Sequence, residues 1–308
     1  MKIVVFGTGG VGGYFGGRLA QAGNDVTFIA RGQHLNVIKQ NGLTVKSING
    51  DFNVKAHATE DLSTVDTPDL IILGVKSWQI SDAAQQLKKI VAETTMVLPL
   101  QNGANNADKL RAVLPDNNVI VGLSKIISRI ESPGVIDHFA VDPEIVFAEY
   151  NNQLTERIKR LNTVLNQAKI KNSISEDIHL DIWKKYLFIT TISGIGALTR
   201  ASVGAMRENT EVREIMLQTA NEIVAVANAK GIGLQPAHVD FIMTFVDNLN
   251  YNATTSMQRD IMEGRPSELE DFNGYVVEQG NLLNVDTEAN SFIYHSLILQ
   301  EQKVRESY

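Results

Sequence analysis

Gly7, Gly9 and Gly12 stand in the spacing G-x-G-x-x-G, between the apolar run Lys2-Ile3-Val4-Val5-Phe6 and a stretch rich in small residues. That pattern suits a pyrophosphate. Gly7 permits a tight turn, Gly9 removes the Cβ that would block a close approach, and Gly12 lets the following helix pack against the strand. A phosphate group would lie on the helix N-terminus, where free N–H groups and the dipole favour negative charge. The whole run Gly7, Thr8, Gly9, Gly10, Val11 and Gly12 is therefore the candidate cradle for a dinucleotide, the alternative being a merely structural glycine turn. Arg31 follows the second strand, about 20 residues on, where an NAD site usually carries Asp or Glu for the ribose hydroxyls. An arginine there suits a 2′-phosphate, so NADP(H) is the expected cofactor unless Arg31 is only a surface residue.

Further polar groups fall where strands end. Lys76 follows the run Asp69 to Val75, and Asn102 lies in Gln101-Asn102-Gly103 after Met96 to Leu100. Ligands of open parallel sheets bind at such carboxyl ends. A solvated loop lysine and a turn-forming asparagine are the alternatives. In the second half, Trp183-Lys184-Lys185-Tyr186 interrupts an apolar stretch running to Leu198. Helical spacing puts Lys185 on one stripe with Ile178, Ile182, Ile189 and either Ile192 or Ser193, which is expected to be buried. Lys184 is expected to be exposed and paired with Asp181. A desolvated lysine is a better proton donor near neutrality, whereas a snorkelling lysine at a domain edge would do no chemistry. The segment Thr255 to Asp260, then Gly264 to Gly274, reads as a polar helix end, a Gly/Pro break and a capped new helix.

The elements that must position these groups alternate strand and helix through the first half. A hairpin of Thr44 to Ile48 with Phe52 to Ala58 is expected around Asn49-Gly50-Asp51. A helix is expected over Ile80 to Ala92, and short strands over Val119 to Gly122, Val135 to Phe139 and Glu144 to Ala148. Leu154 to Ala168 and Ile170 to Ile174 complete an α/β fold with a doubly wound, Rossmann-type parallel sheet and an extension at its far edge. From Asp177 the pattern is helical throughout: to Leu198, then Val212 to Lys230, Pro236 to Asn248, Ser267 to Asn284 and Asn290 to Arg305. The expected domains are 1–176, dinucleotide-binding, and 177–308, all-helical. A chain of 308 residues has room for both cores. Its net charge of −7 and lack of basic clusters argue against a nucleic-acid partner. The absence of cysteine removes disulfides and thiolate chemistry, and six scattered histidines give no metal-ligand spacing. No signal peptide or membrane span is apparent, so a cytoplasmic location is expected.

In combination these motifs resemble the ketopantoate reductase (2-dehydropantoate 2-reductase) family over essentially the whole chain. The resemblance rests on the N-terminal glycines, Arg31, Lys76 with Trp78-Gln79, and Gln101-Asn102-Gly103. It continues through Trp183-Lys184-Lys185 to Ser256, twelve residues ahead of Glu268, with Asn273-Gly274 behind it. What it implies is a reductase of two domains, with the substrate held in the cleft between them. Lys185 matches the family's proton donor, and Asn102 the residue touching both the nicotinamide end and the substrate. Lys76 and Ser128 match cofactor contacts, Ser256 the group holding the substrate carboxylate, and Glu268 an acid near the cofactor ribose and the lysine. The resemblance also implies a homodimer, whose packing is not legible in the sequence.

Three departures bear on the substrate, the last being a family asparagine with no clear equivalent around Arg200 to Val203. Family members carry substrate-binding asparagines where this chain has Ile189, one turn after Lys185, and Ser193. The expected reaction is NADPH-dependent reduction of a 2-oxo acid, either 2-dehydropantoate to pantoate, toward pantothenate and coenzyme A, or a close analogue. A D-2-hydroxy acid dehydrogenase of the same family and a non-catalytic NADP(H) sensor are the alternatives. Apolar Ile189 on a pocket wall would favour a 2-oxo acid with an apolar side chain.

Overall fold

The computed structural model describes residues 1–307, which divide into two compact units, Met1–Ile178 and a second from His179 onward. The first unit contains β1 (Lys2–Phe6), α1 (Gly10–Gln21), β2 (Asp25–Ile29), α2 (Gly32–Asn41), β3 (Leu43–Ser47), β4 (Phe52–Val54), β5 (His57–Thr59) and β6 (Leu70–Leu73). It continues with α3 (Ile80–Leu87), β7 (Met96–Pro99), α4 (Asn106–Arg111), β8 (Ile120–Ser132), β9 (Val135–Glu149), α5 (Glu156–Gln167) and β10 (Lys171–Ile174). One sheet has the order β5-β2-β1-β6-β7, every pair parallel. Its strands are continuous apolar runs: β6 reads Leu-Ile-Ile-Leu and is buried throughout, as a strand covered on both faces must be. The chain winds outward from β1 to β5, then returns to build β6 and β7 on the other side. The switch point lies between β1 and β6, and all five carboxyl ends share one edge.

The expected far-edge extension is instead a second five-stranded sheet of order β10-β9-β3-β4, with β8 antiparallel to β9. The expected hairpin forms as the antiparallel pair β3/β4, but the second run breaks after Val54. His57–Thr59 crosses to the first sheet and pairs with β2. The strands expected at Val119–Gly122, Val135–Phe139 and Glu144–Ala148 are parts of one long hairpin, β8/β9. Pro143 does not end β9, because the β8/β9 register shifts there and the irregularity takes up the missing N–H. The expected helix at Ile80–Ala92 is shorter: it ends at Leu87 and follows a 3₁₀ turn over Ser77–Gln79.

The second unit is helical: α6 (Ile178–Thr199), α7 (Val203–Glu208), α8 (Thr210–Ala229), α9 (Pro236–Asp247), α10 (Ser256–Met262), α11 (Tyr275–Leu283) and α12 (Glu288–Glu306). The segment read as a helix end is the start of α10: the Thr255 hydroxyl accepts from the Gln258 amide at 3.2 Å, an N-cap. The helix expected from Ser267 begins as a π turn over Glu270–Gly274 before continuing as α11, which stops at Asn284 in the left-handed conformation. Among the described residues no helix is long and apolar enough to cross a membrane.

Candidate active site

The glycine turn lies at the shared carboxyl edge of the first sheet. Gly7 has φ +98°, and a Cβ there would stand 2.6 Å from the Val75 amide nitrogen. A Cβ on Gly12 would stand 2.2 Å from the Gly7 carbonyl oxygen, so close packing of helix on turn demands both glycines. Gly9 differs: its nearest neighbour would be 3.7 Å away, so the fold itself leaves room above it. Thr8 is tied down, its amide and hydroxyl both bonding the Ile29 carbonyl at 3.2 and 2.9 Å. Gly9 offers no side-chain cap to α1, whose first turn, with Val11, carries no acid. The opening N–H groups of α1 therefore have neither a side-chain cap nor an anion of the protein's own.

The other strand-end residues gather on the same edge. Arg31 follows β2 with its side chain exposed, and its guanidinium has no hydrogen-bond or ion-pair partner among the described residues. Lys76 follows β6, half-buried, where it precedes the 3₁₀ turn. Asn102 follows β7, half-buried, its carbonyl accepting from the Asn106 carboxamide at 3.2 Å. Ser128 arrives from the other sheet. It lies in β8, and the ideal Cβ of Gly10 would stand 2.6 Å from its carbonyl oxygen. Its hydroxyl oxygen is buried without a partner among the described residues. An uncapped helix start, an open face at Gly9 and an unpartnered Ser128 hydroxyl together fit a dinucleotide phosphate.

In the helical unit the expected stripe is buried at its ends, Ile178 and Ile192, and only half-buried between them. The buried side of α6 is Trp183, Tyr186, Leu187, Thr190, Thr191 and Gly194, whereas Ile182, Lys185 and Ile189 are half-exposed. Lys185 thus stands on the accessible face, with Ile189 one turn beyond it. The helix is apolar nearly all round, so its sequence does not choose a buried side. Ser193, expected beside them, is fully buried and its hydroxyl has no partner among the described residues. Lys184 is partly exposed and lies 3.5 Å from Asp181, as expected.

Ser256 is half-exposed in the first turn of α10, and Glu268 is buried just before the π turn. The fully buried Tyr186 hydroxyl donates to the Phe272 carbonyl at 2.6 Å, anchoring α6 to that turn. Burial first, then the neighbouring Tyr275, raises its pKa well above the ordinary value, so it remains a donor.

The ketopantoate reductase PanE/ApbA family pattern matches residues 3–152, and its C-terminal counterpart matches 177–301. The chain belongs to the ketopantoate reductase family. It is an oxidoreductase acting on CH–OH groups. It is 32% identical to the 2-dehydropantoate 2-reductase of Pyrococcus abyssi, with 96% of each chain covered. A PanE/ApbA family ketopantoate reductase from Ralstonia eutropha superposes with a TM-score of 0.92 at 29% identity, covering 99% of this chain and 100% of that one. D-mandelate dehydrogenase, solved with NADH and anilino(oxo)acetate, shares the fold with a TM-score of 0.90 at 24% identity, covering 99% and 100%.

Sequence reasoning assigned no role to two groups at this oxidoreductase's sheet edge. Gly74 is as constrained as Gly7, since its Cβ would lie 2.5 Å from the Gly7 carbonyl. A glycine between the Leu70–Leu73 run and Lys76 was the available signal. Gln101 is buried with neither side-chain amide atom bonded among the described residues; its polarity after a buried strand, within the Gln101-Asn102-Gly103 motif, was the available signal.

Proposed function

We propose that this family member reduces a 2-oxo acid to the 2-hydroxy acid with NADPH, 2-dehydropantoate being the first candidate. The observation that carries the reading is Lys185, half-buried on α6 between Ile182 and Ile189, which places an ammonium group among apolar side chains. The glycine turn, Lys76 and Ser128 would hold a nicotinamide cofactor, whose chemistry there would be hydride donation to a carbonyl carbon. Lys185 gives the proton to the carbonyl oxygen, which completes the alcohol. The Asn102 carboxamide orients that carbonyl, and the Ser256 hydroxyl donates to the substrate carboxylate. Glu268 faces the ribose and the lysine, and Arg31 pairs with the 2′-phosphate. Ser193, fully buried with its hydroxyl unpartnered among the described residues, is given no part in this reading.

Ile189 supports a second reading of the substrate. It shares the half-exposed face with Lys185, and it neither donates nor accepts a hydrogen bond. A substrate hydroxyl facing it loses its water partner without replacement, at about 1–3 kcal/mol. A 2-oxo acid with an apolar side chain, interconverted with its D-2-hydroxy acid, is then preferred. Steady-state reduction of ketopantoate, 2-oxoisovalerate and benzoylformate, followed by loss of NADPH absorbance, tests both readings. Turnover of none of the three overturns both substrate readings. A clear kcat/KM advantage for ketopantoate over both others overturns the role given to Ile189.

A further inference from the structure

His34 lies in the first turn of α2, just beyond Arg31, and none of the roles above uses it. Both ring nitrogens engage backbone groups. Nε2 lies 2.9 Å from the Thr8 carbonyl oxygen, and Nδ1 lies 2.9 Å from the Gly134 amide nitrogen. A carbonyl can only accept and an amide N–H can only donate, so the pair of contacts requires a neutral ring protonated on Nε2. Thr8 belongs to the glycine turn. Gly134 belongs to the tip of the β8/β9 hairpin, which the Thr44 amide ties to β3 through the Gly134 carbonyl at 2.9 Å. The same hairpin carries Ser128 against Gly10. The hairpin therefore holds the turn at two points, by direct packing at Gly10 and through His34 at Thr8.

We infer that His34 is a positioning residue for the dinucleotide: neutral, it clasps the glycine turn to the β8/β9 hairpin, and protonation opens the clasp and weakens cofactor binding. This rests on the proposed binding of NADP(H) at that turn. A proton added to Nδ1 points a second donor at the Gly134 N–H, and the contact cannot survive. Burial holds the His34 pKa below its ordinary 6.5, and the bond to Thr8 offsets this only in part. The glycine turn carries no charged side chain. Around it, Arg31 precedes α2, which carries Lys39, and β8 carries Lys125, Arg129 and Glu131. Of the charged groups on β8, Glu131 pairs with Lys46 at 2.6 Å and Arg129 with Asp137 at 3.0 Å. Because the folded pKa is depressed, the clasp is complete above the unfolded value and is lost as the pH falls through the folded one.

Calorimetric titration of the full chain with NADP⁺ and NAD⁺ from about pH 8 to about pH 5 tests this, comparing wild type, His34→Gln and His34→Ala. NAD⁺ is included because the 2′-phosphate of NADP⁺ itself titrates near about pH 6. Wild-type affinity for NAD⁺ is expected to fall by about tenfold across the range. A glutamine carboxamide offers one donor and one acceptor and does not titrate, so His34→Gln should recover most of what His34→Ala loses and show a flat profile. His34→Ala should bind weakly at every pH. Thermal unfolding at each pH separates loss of fold from loss of binding, and the glutamine profile decides the matter if the alanine chain does not fold. A glutamine variant with the wild-type pH profile overturns the inference, as does a folded alanine variant binding like wild type at about pH 8. If wild type binds neither dinucleotide at any pH, the cofactor reading itself falls and takes the inference with it.

Discussion

In the Rossmann-type unit the candidate site is made of backbone, whereas in the helical unit it is made of side chains held by other side chains. The glycine turn is set by φ values and by contacts with no room for a Cβ: Gly7 on Val75, Gly10 on Ser128, Gly12 and Gly74 on Gly7. Arg31, Lys76 and Asn102 reach the same edge because parallel strands end there. Around Glu268 the support is different. The Ser267 amide donates to the buried Glu301 carboxylate at 3.0 and 3.1 Å, and its hydroxyl donates at 2.5 Å. Arg305 completes the cluster, bonding Glu301 at 2.7 Å and the Ser267 carbonyl at 3.1 Å. A site made of backbone tolerates most side-chain changes but no added methyl. One made of buried polar contacts fails on conservative substitutions, because each leaves a partner unsatisfied.

The largest expected effect separates chemistry from binding. Lys185→Ala should lower turnover by about 10²-fold or more while dinucleotide still binds, the usual weight of a general acid. Lys184→Ala, which breaks only a partly exposed contact with Asp181, should change little. Equal losses from the two would place the proton donor elsewhere.

A pair of glycines probes the backbone-built half. Gly74→Ala puts a methyl 2.5 Å from the Gly7 carbonyl and should cost about 1–3 kcal/mol, read as a lowered Tm. Gly9→Ala meets nothing closer than 3.7 Å, so its Tm should match wild type while NADPH affinity falls. An unchanged affinity for Gly9→Ala would mean no phosphate lies over that residue.

Arg31 comes next. Its charge-assisted bond to a 2′-phosphate should contribute roughly 1.5–3 kcal/mol, a preference for NADPH over NADH of about ten- to a hundredfold. Arg31→Ala should abolish that preference and leave NADH affinity unchanged in fluorescence titration. Similar wild-type affinities for the two cofactors would show that Arg31 points away from the nucleotide.

The smallest effect concerns the anchor of α6. Tyr186→Phe removes the donor to the Phe272 carbonyl and leaves a buried acceptor unpaired, at about 1–2 kcal/mol in denaturant unfolding. Because burial keeps Tyr186 protonated, that loss should not vary with pH across the neutral range.

What the sequence determined by itself was local in character. A G-x-G-x-x-G turn, the apolar β6 and β7 runs, Arg31 after β2 and the Lys184–Asp181 pair each depend on residues close in the chain, so conformational preference and short-range spacing suffice to read them. The roles proposed for Lys185, Asn102, Ser256 and Glu268 came through family resemblance, since neither spacing nor polarity distinguishes a proton-donating lysine from a solvated one. Tertiary structure alone decided which strand pairs with which: β5 joins β2 across α2 and a second sheet, and Ser128 reaches Gly10 from more than a hundred residues away. It also decided which side of α6 is buried. Helical spacing grouped Lys185 with Ile182 and Ile189, and that grouping held. A helix apolar on nearly every side has no preferred face until the rest of the unit packs against it, and that packing left these three half-exposed while burying Ser193. The π turn before α11 and the His34 clasp have the same origin, because each is fixed by partners the chain supplies only after it has folded.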